Sequence, residues 1–155
     1  MAILQYKIRE QFVAEFELSP SPSNNYAEVG GSWVIAKVAF RFFEGFPEIA
    51  IEREGQEVGD VERLIREIRE VVKDNTKPVD FYPLEPDYHI MISRDGSDYE
   101  VIVVLDVSGT QSTGVYCGIG PAIHLTASKQ DLLNFANDLE KELEQVKQIY
   151  RDRKR

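Results

Sequence analysis

Twice along this chain, the alternating hydrophobic pattern of β-strands gives way to the spacing of an amphipathic helix. In the first half, residues 12–18 and 33–43 place apolar side chains at every second position, which predicts two half-buried strands. A third strand is predicted near 47–53, after the Glu44-Gly45 turn, with residues 19–32 as a long loop. From Asp60, which is the predicted N-cap, to about residue 74 the apolar residues follow helical spacing.

The second half repeats this order. Strands are predicted at 88–93, 99–107 and about 115–125, with Asp95-Gly96 as the turn of a hairpin between the first two. Ser128 and Asp131 have the spacing of a capping box and predict where the last helix begins. The apolar stripe of that helix consists of Leu132, Phe135, Ala136, Leu139, Leu143 and Val146.

The pattern therefore predicts an α+β protein made of two βββα halves, at about 11–75 and 87–151. Residues 46–51 and 120–125 are equivalent in the two halves, and an acidic helix start follows each. We expect the strands to form one antiparallel sheet with the two amphipathic helices packed on it. A length of 155 residues with 43% hydrophobic residues predicts a single domain over 1–155.

Cysteine usage and hydropathy point to a cytoplasmic protein. Cys117 stands alone, so no internal disulfide framework can form. The start of the chain has too few apolar residues for a signal peptide, and no apolar run approaches the length of a membrane helix. We therefore expect neither export nor membrane insertion.

The negative charge is concentrated in the second half. Residues 1–77 carry ten basic and fourteen acidic residues, whereas residues 78–146 carry three and twelve. Such a field repels phosphate backbones and attracts basic proteins. The sequence therefore predicts no direct binding of nucleic acid and favours a basic protein as the partner.

The chemistry-bearing residues do not form a recognisable catalytic or metal-binding set. The glycine spacing of residues 109–114 resembles a phosphate loop, but Val115-Tyr116 stands where lysine and a hydroxyl residue are needed. His89, Cys117 and His124 lack the spacing of metal ligands, and both histidines are expected at the surface or the rim of the sheet. We predict no catalytic residues, no metal, no cofactor and no enzymatic activity.

The strongest binding signal is a mixture of carboxylates and aromatic residues between Asp80 and Asp106. Such groups can steer a basic partner electrostatically and then anchor it through buried rings. The other interpretation is a solvated hairpin whose tyrosines belong to the core. The candidate partner-binding residues are Glu85, Asp87, Tyr88, Asp95, Asp98, Tyr99 and Glu100.

The order of these segments resembles WapI-type immunity proteins. The resemblance runs from the strand at Trp33, through residues 46–51 and the Glu/Arg helix, to Glu85-Pro86-Asp87, the Asp95-Gly96 hairpin and the closing Leu132-Leu133-Asn134-Phe135 helix. It implies a protein that neutralises a toxin, often a nuclease, by binding it. The alternative is a regulatory or scaffold domain that binds another protein or its own copy, so a homodimer stays open.

Overall fold

The computed structural model describes residues 1–9, 11–23, 33–43, 46–74, 77–84, 88–105 and 120–153. Each half consists of four strands followed by a helix. In chain order the elements are β1 (Ala2–Ile8), β2 (Gln11–Pro22), β3 (Trp33–Phe42), β4 (Ile49–Glu57), α1 (Val58–Asp74), β5 (Val79–Phe81), β6 (Tyr88–Asp95), β7 (Asp98–Leu105), β8 (Ala122–Ala127) and α2 (Lys129–Arg153).

The α+β class is confirmed, but the strands form two sheets rather than one. The first sheet has the order β1-β2-β3-β4 and the second β5-β6-β7-β8, and all neighbouring strands are antiparallel. The two sheets approach each other where β1 lies beside β8. Each half also has one strand more than the three that were predicted.

The two additional strands, β1 and β5, each begin a half. Ala2 and Leu4 are buried on one face of β1, and the strand pairs with β2 from Ala2 opposite Leu18 onward. β5 contributes only three residues, of which Val79 and Phe81 are buried. The alternation of apolar residues in both strands is short, and each strand is stabilised by pairing with a longer neighbour.

Strand β2 extends into the segment that was predicted as a loop. It continues through Pro20 and Pro22, which lie opposite Ala36 and Val34 of β3. On its other side, pairing with β1 ends at Leu18. Proline has no backbone N–H to donate, so it is tolerated on this stretch because β3 is the only paired neighbour among the described residues there.

Helix α2 begins as predicted and packs across the first sheet, not only on its own half. The Ser128 backbone N–H donates to Asp131 at 2.9 Å, and the Asp131 N–H donates back to the Ser128 hydroxyl at 3.2 Å, which confirms the capping box. All six predicted core residues of the helix are buried, and the Phe135 ring lies 5.6 Å from that of Phe16 in β2.

The last turns of α2 fasten the far end of the first sheet. The Tyr150 hydroxyl donates to the Trp33 carbonyl at 2.6 Å and accepts from the Ser23 N–H at 2.8 Å. Nearer the middle of the helix, Glu142 accepts from the Ser19 hydroxyl at 2.6 Å and pairs with the N-terminal amine of Met1. These contacts at the end and near the middle of α2 fix the direction in which the helix runs along the first sheet.

Helix α1 starts two residues earlier than predicted. Asp60 was expected to cap it, but the helix begins at Val58, and the Asp60 carboxylate instead accepts from the Leu84 N–H at 2.7 Å. The Arg63 guanidinium lies 4.5 Å from the centre of the Phe81 ring, which holds α1 against β5. Arg69 bridges to Glu140 of α2 with two hydrogen bonds of 2.9 and 2.8 Å.

The predicted boundaries of the last strands are right only in part. β7 ends at Leu105 and β8 covers Ala122–Ala127, whereas strands were expected at 99–107 and 115–125. The predicted glycine loop of residues 109–114 and Cys117 lie outside the described residues.

Several turns and ends meet at one end of the molecule, which we call the hairpin end. A cleft of about 640 Å³ places Lys7 of β1 beside Asp98 and the start of α2. The β6–β7 turn and the β1–β2 turn are therefore at the same end. Because Ala14 of β2 lies opposite Phe42 of β3, the β3–β4 connection is there as well.

Candidate protein-binding face

The second sheet has one face toward the helices and one face away from them. Tyr88, Ile90 and Ile92 of β6 are buried in the core, so alternate residues of this strand and of its paired neighbours point to the opposite side. We call that side the acidic face. Its described residues are Asp80, His89, Met91, Ser93, Asp95, Asp98, Glu100, Ile102, Val104, Ala122, His124 and Thr126.

Four of the described residues on the acidic face are carboxylates and none is lysine or arginine. Asp95 and Asp98 stand opposite each other at the hairpin turn, where Gly96 adopts a φ of 61°. Neither aspartate forms an ion pair with a described residue, and Asp95 is exposed whereas Asp98 is half-buried. The exposed Arg94, just before the pair, donates to the Gly96 carbonyl at 2.8 Å instead.

Glu100 is held in place by its neighbours on the sheet. It accepts a hydrogen bond of 3.3 Å from the Ser93 hydroxyl on β6, and it lies 2.9 Å from Nε2 of His124 on β8. His124 is exposed. Glu100 is therefore oriented by contacts on both sides while its charge stays accessible.

The opposite edge of the acidic face carries a packed histidine. Nε2 of His89 lies 2.6 Å from the Asp80 carboxylate, and the Tyr82 ring stacks on the imidazole with 3.8 Å between ring centres. His89 was expected at the surface or the rim of the sheet, but it is buried beneath Tyr82, whereas Asp80 is exposed. Burial, reinforced by the charge on Asp80, raises the pKa of Tyr82 above its ordinary value.

An apolar strip lies between these polar groups. Met91 of β6 pairs with Ile102 of β7, and Val104 lies two residues further along β7; all three side chains are half-buried. A partly exposed apolar centre with a polar rim is the usual anatomy of a protein-binding surface. The acidic face therefore offers both steering charge and apolar contact area.

The structure separates the residues that were predicted as a site. Asp95, Asp98 and Glu100 lie together on the acidic face, with Asp95 exposed and the other two half-buried. Tyr88 and Tyr99 point the other way and are only 1% and 3% exposed, so their rings belong to the core. Glu85 and Asp87 lie outside the described residues.

Tyr88 is tied to the first half of the chain. Its hydroxyl accepts a hydrogen bond from the Gln56 side-chain amide at the end of β4. Gln56 is itself 4% exposed. The sequence around Tyr88 did not indicate this contact, because Gln56 lies 32 residues earlier in the chain, in the other half.

The outer face of the first sheet is charged as well, but its charges are paired. Glu15 and Glu17 lie on the face of β2 opposite its apolar residues, yet they are only 9% and 1% exposed. Arg41 of β3 contacts both carboxylates and also Glu48, and Lys37 lies 3.7 Å from Glu17. The hydrogen bond with Glu15, together with those to the other two, raises the Arg41 pKa above its ordinary value.

This network distinguishes the two outer faces. On the first sheet Arg41 and Lys37 compensate much of the charge of Glu15, Glu17 and Glu48. On the second sheet Glu100 lies beside His124, whereas Asp95 and Asp98 form no ion pair with a described residue. The carboxylates of the hairpin are therefore less compensated by ion pairs than those of the first sheet.

In the described ranges, no group of three or more His, Cys, Asp or Glu side chains is placed to hold a metal ion. Neither α1 nor α2 is long and apolar enough to cross a bilayer.

A strong signal was overlooked in the sequence. Four large apolar side chains at the hairpin end are exposed, namely Ile8 (51%), Phe12 (36%), Phe43 (51%) and Phe46 (59%). Phe43 and Phe46 pack edge to face, with 4.7 Å between ring centres. Phe42 and Phe43 are adjacent at the end of a strand, which breaks the strict alternation of apolar residues, and Phe46 follows three residues later. This pattern in the sequence could have indicated an aromatic cluster at the surface.

The fold and this face define an α+β protein with an acidic, apolar-centred surface on its second sheet. The family model of the immunity protein WapI-like family matches residues 10–147, so the chain belongs to that family. No curated protein matches the chain.

Proposed function

We propose that this protein is a cytoplasmic, non-catalytic immunity protein that neutralises a basic toxin domain by binding it with the acidic face. Membership of the immunity protein family supports a toxin as the partner. The observation that carries the choice of surface is the pair Asp95 and Asp98, which lie side by side with no cationic partner among the described residues.

The mechanism has two physical steps. Carboxylates at the hairpin end attract a basic surface and raise the rate of encounter. Contact with the half-buried strip of Met91, Ile102 and Val104 then removes apolar surface from water and slows dissociation. Neutralisation follows because the bound protein covers the part of the toxin that meets its substrate.

A basic toxin partner also fits the expected absence of nucleic-acid binding. A nuclease must attract phosphate, so its substrate groove is positive. The acidic face has the charge of the substrate and can occupy the same groove. This similarity of charge supports a nuclease-like partner and predicts that the protein alone does not bind nucleic acid.

Co-expression tests the proposal directly. The tagged chain is produced together with the toxin domain encoded immediately upstream of its gene, and both survival and co-purification are measured. We expect protection and a stable complex for the unmodified chain. We expect loss of both when Asp95, Asp98 and Glu100 are changed to lysine.

The matched control is Glu70→Lys on α1. Glu70 is exposed, forms no ion pair with a described residue, and lies on the helix side of the molecule. The control variant should protect as well as the unmodified chain. An unmodified chain that neither protects cells nor binds the toxin domain would refute the proposed function.

A further inference from the structure

The apolar patch formed by Ile8, Phe12, Phe43 and Phe46 is a second feature that the core does not explain. Exposed aromatic rings in contact with each other are rare on surfaces that stay in water, and such patches mark binding sites. The Phe46 ring lies 4.7 Å from that of Phe43 and 6.2 Å from that of Phe42. The rings of Phe42, Phe43 and Phe46 therefore form one cluster, and Ile8 and Phe12 are exposed beside the β1–β2 turn.

The position of the apolar patch connects it to the acidic residues. Phe43 follows β3 and is bound to β2 by a hydrogen bond of 3.1 Å from its N–H to the Val13 carbonyl. Phe12 lies opposite Lys7 of β1, and Lys7 lines the same cleft as Asp98. Patch, cleft and aspartates thus follow one another along the hairpin end.

The distance between the two features suits one partner. From β3 to β7 the order is β3, β2, β1, β8 and β7. Three of these steps join hydrogen-bonded strands and span about 14 Å, and the step from β1 to β8 joins two different sheets through Cα atoms within 8 Å of each other. A protein interface of ordinary size, about 800 Å² on each side, covers such a span.

The acidic end of this path, at Asp95 and Asp98, favours a basic occupant, whereas Lys7 and Arg9 are exposed at the β1–β2 turn beside the apolar patch. The cleft between patch and hairpin carries Asp98 and Asp131 against Lys7, together with the polar side chains of Gln5 and Asn134. The Asp131 carboxylate is engaged by Ser128 in the helix cap, whereas Asp98 has no partner among the described residues. A protein with lysine or arginine beside apolar side chains complements this sequence of groups.

We propose that the apolar patch is the hydrophobic anchor for the same basic partner, which reaches from Asp95 and Asp98 across the cleft to Phe43 and Phe46. This inference rests on the proposed function and extends it. It assigns the anchoring role to the phenylalanines of the β3–β4 connection, because Tyr88 and Tyr99 are in the core. Their burial by the partner sets the dissociation rate, while the aspartates set the association rate.

The test uses Phe43→Ser together with Phe46→Ser in the full chain, and the purified toxin domain encoded upstream as the probe. Association and dissociation are followed by surface plasmon resonance at several salt concentrations. We expect Kd to rise by at least about 30-fold, which is the loss typical of a hot-spot residue. The change should lie in the dissociation rate, and the salt dependence of association should stay as in the unmodified chain.

Leu84→Ser is the matched control. Leu84 is 61% exposed, compared with 59% for Phe46, but it precedes β6 and so lies away from the hairpin end. This variant should bind like the unmodified chain. Thermal melts of all variants show whether each is folded, and exposed positions should leave the midpoint nearly unchanged.

The outcomes separate the two proposals. If the unmodified chain binds and the double phenylalanine variant binds equally well, the anchor is refuted while the proposed function stands. If the free chain is a dimer and the double variant a monomer, the patch is the interface between two copies and the anchor is refuted. If the unmodified chain does not bind the toxin domain, both proposals fail.

Discussion

Asp95 and Asp98 face each other across the β6–β7 turn, and neither has a cationic partner among the described residues. Two adjacent carboxylates repel each other, so this arrangement costs stability and has to be enforced by the turn. The turn does so through Gly96, whose φ of 61° is in the left-handed region. The backbone therefore holds in place the charges that we assign to partner attraction.

The first prediction concerns this glycine. Gly96→Ala should destabilise the protein by about 1 kcal/mol, because alanine adopts a left-handed backbone only with strain. No atom lies within 4 Å of the position of the added methyl group, so the cost is one of backbone conformation alone. Urea unfolding measures it.

Gly59 provides the control for Gly96. It lies in the first turn of α1, and its added methyl group would also meet no atom within 4 Å. Gly59→Ala should leave stability unchanged or raise it by up to about 1 kcal/mol, because alanine favours the helix. Equal losses at both glycines would contradict the conformational explanation.

The second prediction concerns Tyr88. Tyr88→Phe removes the acceptor of the Gln56 amide, which is buried, so unfolding free energy should fall by about 1–3 kcal/mol. The binding affinity for the toxin domain should not change, since the ring lies in the core. A variant that is as stable as the unmodified protein but binds less tightly would contradict this placement.

The third prediction concerns the buried charges of the first sheet. Arg41→Met leaves Glu17, which is 1% exposed, with Lys37 at 3.7 Å as its remaining cationic partner among the described residues and should cost up to about 3–5 kcal/mol. Arg69→Met breaks a pair that is exposed on both sides and should cost less than about 1 kcal/mol. Chemical denaturation of the two variants compares them, and similar losses would show that Glu17 is not buried as described.

The fourth prediction is a pH dependence that comes from the helix bridge. The hydrogen bonds from Arg69 hold the pKa of Glu140 below its ordinary value of 4.5. A lowered folded pKa contributes stability above the unfolded pKa, and this contribution is lost as pH falls through the folded value.

The unmodified protein should therefore have a higher unfolding free energy than Arg69→Met at neutral pH, and the two values should converge in strong acid. Unfolding free energies are measured from pH 7 to pH 3 for both proteins. We expect a small difference at pH 7 that declines below about pH 4.5. A difference that grows toward low pH would contradict the role of Glu140.

The helices and the long strands were predictable because their periods differ and each has a clear apolar stripe. The capping box at Ser128 and the core stripe of α2 were right in detail. β1 and β5 were missed because they are short and gain their stability from pairing, which involves partners far along the chain. The extension of β2 through Pro20 and Pro22 was missed for the same reason.

The candidate site was predictable in its charge and not in its aromatic residues. Asp95, Asp98 and Glu100 are on one surface because a hairpin brings them there, and the Asp-Gly turn is a local signal. The burial of Glu17 depends on Arg41 and Lys37 across the sheet, a contact that alternation along β2 cannot reveal. The exposure of Phe43 and Phe46 likewise depends on where the sheet ends.

The most direct test of the central claim is the association rate of the toxin domain as a function of salt concentration. It is measured by stopped-flow fluorescence for the unmodified chain, for Asp95→Lys and Asp98→Lys separately, and for Glu70→Lys. All three substitutions change the charge equally. The first two should slow association about tenfold or more at low salt, and the difference should vanish at high salt. Glu70→Lys should match the unmodified chain; equal rates for all variants, or equal slowing by Glu70→Lys, would contradict steering by the hairpin.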